Sequence, residues 1–122
     1  MIQLSPYITV ENVDEAIAFY QQVFDGKVKI LNQNKNRILH AELHISDMIV
    51  LHLSNNYGKA FSNENTALIL TFDSLTEQEN VYKSLSEGGN PHMPLEKTFF
   101  NAMHGQVIDK YGINWLMNCF LK

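Results

Sequence analysis

Three imidazoles and a carboxylate that alternates with two of them, all able to move protons or hold a metal, crowd into one short stretch, Ile38 to Ser54, which reads ILHAELHISDMIVLHLS. His40, Glu42 and His44 fall at every second position, and His52 follows further along. On an extended strand a period of two puts His40, Glu42 and His44 on one face. A carboxylate flanked by imidazoles can serve as a general acid or base if it is buried, which makes Glu42 the catalytic candidate. A His-x-His pair on a strand can also bind Zn²⁺. Both ideas have a plainer alternative, in which these are satisfied polar groups on the wetter face of a strand or at a subunit contact. The stretch reads as two strands reversing at Ser46-Asp47. A two-residue turn there sets Ala41 opposite His52, with His52 on the other face from His40, Glu42 and His44. The histidines would then not form one cluster.

Other candidates are scattered. His104 reads as a loop residue beside Gly105 and can reach the mouth of a binding site. Trp115 can stack on a planar ligand or fill a core. Phe99 and Phe100 can line a pocket or fill it. Cys119 reads as a small buried hydrophobe with no cationic neighbour to make it a thiolate. The chain contains no P-loop, no dinucleotide-binding glycine pattern and no Gly-x-Ser-x-Gly elbow.

These residues must be held by elements that 122 residues, 45% of them hydrophobic, can build. That length gives one compact domain or two small halves sharing a core. A net charge of −4 without a Lys/Arg cluster excludes nucleic acid and anionic membrane surfaces as expected partners. No apolar run approaches the roughly 20 residues that span a bilayer. The first ten residues, MIQLSPYITV, lack a basic region followed by an apolar one. With a single cysteine, this fits a reducing cytoplasm.

Gln3 to Val10 reads as a strand. Asn12 with Glu15 reads as a capping box, opening a helix whose buried stripe is Val13, Ala16, Ile17, Tyr20, Val23 and Phe24. Gly26 supplies the left-handed residue that ends it. Lys27 to Leu31 is a strand and Asn32 to Asn36 a polar loop before the histidine-bearing hairpin. Residues 55–58 close this half. Thr66 to Phe72 then begins a second strand–helix plan, with Ser74 and Glu77 as the cap, Leu75, Val81, Tyr82 and Leu85 as the stripe, and Gly88-Gly89 as the stop. Cap and stop both recur at one offset, 74 − 12 = 62 and 88 − 26 = 62, as an internal repeat would require. Pro91–Phe99, Gly105–Ile108 and Ile113–Phe120 supply the last strands. The prediction is an α+β fold of two βαβββ modules, about residues 1–58 and 59–122. Their mixed sheets would curve into a trough with the helices outside, and a small ligand would sit in it.

This order resembles the vicinal oxygen chelate superfamily of glyoxalase I, bleomycin and fosfomycin resistance proteins and extradiol dioxygenases. The run from Val10 to Tyr20 is similar to that family's strand end, cap and first helix. Asp109-Lys110-Tyr111-Gly112-Ile113-Asn114-Trp115 is similar to its turn and last strand, with Lys110 in place of the usual proline. His40 to Asp47 resembles the "HAELxIGD" run of the PhnB-like branch. Thr98 to Gly105 resembles its "TFWGDRYG", departing at Phe100, Asn101 and His104.

The resemblance implies a homodimer and, in metal-dependent members, four His or Glu ligands. Those positions fall here at Ser5, His52, Ala67 and Leu116. One imidazole among them does not hold a divalent metal, so no metal and no other cofactor is expected. The expected function is metal-free binding of an unidentified small molecule by His52, Glu42, His40, Phe100, His104 and Trp115. The alternative is a lyase, isomerase or dioxygenase-type enzyme of the same family, using a metal or a Glu/His base.

Overall fold

Asn12 and Ser74 start their helices as the sequence predicts. In the computed structural model, which describes residues 3–58 and 66–122, Asn12 Oδ1 accepts the Glu15 N–H at 3.0 Å and Ser74 Oγ accepts the Glu77 N–H at 3.1 Å. Each cap satisfies a backbone donor that the first helical turn leaves open. The helices are α1 (Val13–Phe24) and α2 (Leu75–Ser86). Their starts and their ends both differ by 62 (75 − 13 and 86 − 24), so the repeat is structural.

The chain divides into two compact units, Met1–Ala60 and Phe61–Lys122. The first holds β1 (Tyr7–Val10), α1, β2 (Lys27–Asn34), β3 (Arg37–Ser46) and β4 (Ile49–Asn55). The second holds β5 (Leu68–Phe72), α2, β6 (Asn90–Lys97), β7 (Ala102–Ile108) and β8 (Asn114–Phe120). Each sheet is four-stranded and mixed, ordered β1-β4-β3-β2 and β5-β8-β7-β6. The first pair in each is parallel and the remaining pairs antiparallel. The α+β class and the doubled βαβββ order agree with the sequence reading.

Several local expectations need correction. Gly26 is not the left-handed residue after α1; Asp25 is, at φ 56°. Aspartate tolerates that conformation better than most side chains. Gly26 is needed for another reason, because a Cβ there would lie 2.7 Å from the His44 carbonyl oxygen as β2 starts beside β3. After α2, Gly88 does take the left-handed conformation, at φ 71°. The polar loop before the hairpin shrinks to a turn at Lys35-Asn36, and β2 runs on to Asn34. In the first strand only Tyr7–Val10 is paired as a strand, after Pro6, which has no N–H to give a ladder.

In the first unit, α1 packs on β3 and β4. Val13, Ala16, Ile17, Phe19 and Tyr20 are buried on the helix, and Ile8, Val10, Ala41, Leu43, Leu51 and Leu53 on the strands. Each such large apolar side chain contributes about 1.5–3 kcal/mol when fully buried. Strand alternation then sends Tyr7, His40, Glu42, His44 and His52 to the opposite face. In the second unit, Val81 and Leu85 are buried on α2 and Val107, Trp115, Met117 and Cys119 on the sheet. Leu75, expected in the helical stripe, is exposed. Gln78 is buried in its stead, donating from Nε2 to the Met103 carbonyl at 2.9 Å.

Candidate functional site

The reversal in the histidine hairpin lies at Asp47-Met48, with Ser46 opposite Ile49. The pairing then skips Ile45, so that His44 faces Val50. Beyond this irregularity Glu42 faces His52 and His40 faces Ser54, one residue out of the register expected from a turn at Ser46-Asp47. Because side chains alternate with a period of two, one residue of slip exchanges the faces. The expectation that His52 lies apart from His40, Glu42 and His44 is therefore wrong, and all four share a face. Burial enforces this register. Setting Ala41 opposite His52 would put an imidazole under α1 and expose Leu51 and Leu53, which are 2% and 0% exposed.

The four side chains are linked. The His40 Nε2 to His52 Nδ1 distance is 3.1 Å. His52 Nε2 lies 3.5 Å from Glu42 Oε2, and His44 Nε2 lies 2.8 Å from Glu42 Oε1. The hydrogen bond from His44 holds the Glu42 carboxyl below its ordinary value. Partial burial opposes this, and the charges of His52, His44 and Lys29 reinforce it. With Glu42 a carboxylate, the nitrogens facing it carry protons. His40 Nε2 and His52 Nδ1 lie within hydrogen-bond distance, and the tautomers of the two rings set which of them donates. His44 donates to one carboxylate oxygen of Glu42, and His52 lies at ion-pair distance from the other.

Tyr7 completes the group, and sequence reasoning passed over it as an ordinary strand residue. The parallel pairing of β1 with β4 sets Tyr7 beside His52. Its ring stacks on that imidazole with centroids 6.0 Å apart and 21° between planes, and meets His40 edge-on at 5.6 Å. Tyr7 is 58% exposed, whereas the side chains of His52 and Glu42 are 24% and 17% exposed. The face is therefore an aromatic shelf beside a mostly covered polar chain.

The remaining candidates lie in the second unit. His104 is on strand β7 and not on a loop. Its Nδ1 lies 2.7 Å from Asn118 Oδ1, and Gln106 Nε2 lies 3.1 Å from its Nε2. With the amide atoms so placed, the ring donates to Asn118 and accepts from Gln106. Phe100 lies edge-on to it at 6.3 Å and 6.4 Å from Phe120. Neither Gln106, Asn118 nor Phe120 was singled out from the sequence; pairing of β7 with β8 brings them together. Trp115 does not belong with this group. It is 1% exposed on the α2 side of the sheet, and its Nε1–H donates to Asp109 Oδ2 at 2.8 Å. As a ligand-stacking residue it is corrected to a core residue.

The metal-ligand positions of the resembling family do not offer a donor set. Ser5 precedes β1 and is exposed, Ala67 precedes β5, and Leu116 lies on β8. Alanine and leucine carry no ligating atom. Among the described residues, no three His, Cys, Asp or Glu side chains converge so as to hold a metal ion. Within the His40, Glu42 and His44 alternation, Glu42 occupies the His44 nitrogen, while His40 lies against His52 instead.

Comparison with known proteins bears on the whole chain. Residues 3–117 match the model of the Glyoxalase/Bleomycin resistance protein/Dioxygenase superfamily. Protein YjdN of Escherichia coli (strain K12) is 26% identical, the match covering 94% of this chain and 93% of YjdN. The crystal structure of protein PA1353 from Pseudomonas aeruginosa superposes with a TM-score of 0.84 at 28% identity, covering 100% of both chains. A Bacillus cereus structure described as a putative 3-demethylubiquinone-9 3-methyltransferase, PhnB protein, shares the fold. Its TM-score is 0.78 at 21% identity, over 97% of this chain and 99% of that one.

Proposed function

The chain belongs to the Glyoxalase/Bleomycin resistance protein/Dioxygenase superfamily, and from that premise we propose that it binds a small molecule without a metal. The observation that carries this reading is the linked face of Tyr7, His40, Glu42 and His52 in the first unit. It joins an exposed aromatic ring to polar groups already oriented by one another, the combination that fixes a ligand's position. The lack of ligating atoms at Ala67 and Leu116 supports the metal-free part of the proposal. The run from His40 to Asp47 supports placing the protein near the PhnB-like branch.

The same geometry favours binding over catalysis by Glu42. A carboxylate held below its ordinary value is a weak base at neutral pH, and one of its oxygens is occupied by His44. The test combines a small-molecule thermal-shift screen with amide NMR shifts and metal analysis of the purified protein. Hits that raise the melting temperature and move the signals of Tyr7, His40, Glu42 and His52 support the reading. Stoichiometric Zn²⁺, Mn²⁺ or Fe²⁺ that raises the melting temperature overturns its metal-free part. A screen in which no compound perturbs this face overturns the binding part.

A further inference from the structure

The cross-strand pairs of the first sheet line up into one row that runs from edge to edge. Tyr7 on β1 lies beside His52 on β4, His52 opposite Glu42 on β3, and Glu42 opposite Lys29 on β2. Paired neighbours share a face, so an aromatic ring, an imidazole, a carboxylate and an ammonium follow one another on the side of the sheet away from α1. Glu42 stands between His52 and Lys29, yet both of its oxygens go to imidazoles. Oε1 meets His44 Nε2 at 2.8 Å, and Oε2 lies 3.5 Å from His52 Nε2. The Lys29 ammonium is left over. Lys29 is exposed and makes no ion pair among the described residues.

The rows on either side add the Lys27 ammonium, opposite His44, and no second acid. Lys27 is likewise exposed and without an ion pair among the described residues. The nearest acids along the chain, Asp25 and Asp47, lie outside the strands, in the α1 cap and the hairpin turn, and pair with neither lysine. Two ammoniums therefore share this face with one carboxylate that is already engaged, a local positive excess on a chain whose net charge is −4. An anion arriving at the β2 edge is attracted by both ammoniums, and a cation is repelled by them. At the other edge the Tyr7 ring is 58% exposed and offers aromatic surface to a second ring. Three strand spacings, about 14 Å, separate the β1 and β2 backbones. The flexible lysine stem lets the ammonium reach toward the middle of the row. That span calls for a spacer between ring and anion.

We infer that this face takes an aromatic acid in its anionic form, with the ring on Tyr7 and the anionic group at the Lys29 ammonium. Recognition rests on charge and stacking alone, and no bond forms or breaks. The inference rests on the proposed binding role of the same face and adds the charge and the shape of the ligand.

The probe is 4-phenylbutyrate, with 4-phenylbutyramide as the isostere of the same length that lacks the charge. Binding is followed by titration calorimetry and by the backbone NMR signals of Tyr7 and Lys29. The carboxamide should bind about three- to tenfold less tightly than the acid, the worth of one exposed charge-assisted contact. The preference should shrink as ionic strength rises from about 0.01 M to about 0.15 M and the Debye length falls from about 30 Å to about 8 Å. Lys29→Gln should remove most of the preference and leave binding of the carboxamide unchanged. Lys29→Arg keeps the charge and should keep the preference.

Equal binding of acid and carboxamide overturns the inference, as does a preference that salt or Lys29→Gln leaves intact. If other small molecules perturb Tyr7, His40 and His52 but 4-phenylbutyrate does not bind, the inference falls and the binding role stands. If no small molecule perturbs this face, both fall.

Discussion

Replacing Asp109 by alanine should cost more stability than any other single change at the β7–β8 connection. The Asp109 carboxylate is 3% exposed and collects three donors. Oδ1 accepts the Tyr111 N–H at 2.8 Å and the Ile113 N–H at 3.1 Å, and Oδ2 accepts the Trp115 indole N–H at 2.8 Å. The indole is buried and cannot turn to water, so orphaning it costs about 1–3 kcal/mol. The two backbone donors lie in a half-buried turn where water restores part of each bond, so each loses about 0.5–1.5 kcal/mol. The sum is roughly 4 kcal/mol, at the large end for one substitution.

Trp115 is the only tryptophan, so its fluorescence reports unfolding in urea directly. With a urea slope of about 2 kcal/mol/M, the midpoint should fall by roughly 2 M. Asp109→Asn keeps the shape and one acceptor oxygen, and should fall between alanine and wild type. Combining Asp109→Ala with Trp115→Phe, followed by circular dichroism, should show coupling of about 1–2 kcal/mol, because the phenylalanine has no donor to orphan. A loss below about 1 kcal/mol for Asp109→Ala, or additive effects in the cycle, would refute the claim that this carboxylate holds the turn and the indole together.

Three further outcomes follow from other parts of the molecule. Gly26→Ala forces a Cβ to within 2.7 Å of a backbone oxygen and 2.9 Å of Leu43 Cδ1, and should destabilise the protein by about 1–3 kcal/mol in the same urea assay. Glu42 has a lowered folded-state pKa, so its contribution is present above the ordinary value of 4.5 and is lost as pH falls through the folded value beneath it. The stability gap between wild type and Glu42→Gln should therefore shrink on acidification below pH 4.5, and a gap that widens there contradicts the assigned contacts. The homodimer proposed from the family resemblance should scatter light as twice 14.0 kDa, and a mass of 14.0 kDa at assay concentration contradicts it.

Sequence alone determined the parts of this protein that depend on short-range periodicity and capping. Asn12 and Ser74 announce their helices because a side-chain acceptor next to the first turn is a local device. Alternation put His40, Glu42 and His44 on one face because the strand period does not depend on what the strand pairs with. The place of His52 depends on register, and the turn alone misassigned it. A better signal was present in the alternation of Leu51 and Leu53 around His52, which matches Ala41 and Leu43 around Glu42. Burying the four apolar side chains together requires His52 beside Glu42.

Other decisions belonged to the tertiary structure. Nothing near Tyr7 in the sequence pairs it with His52; a parallel ladder between strands separated by a helix and a hairpin does so. Trp115 and His104, both expected at the ligand, are separated because strand parity, fixed by which face α2 covers, buries the first and leaves the second half-buried. The chemistry-bearing residue types were thus visible in the chain, but their grouping was set by hydrogen-bond ladders and by which apolar side chains had to leave water.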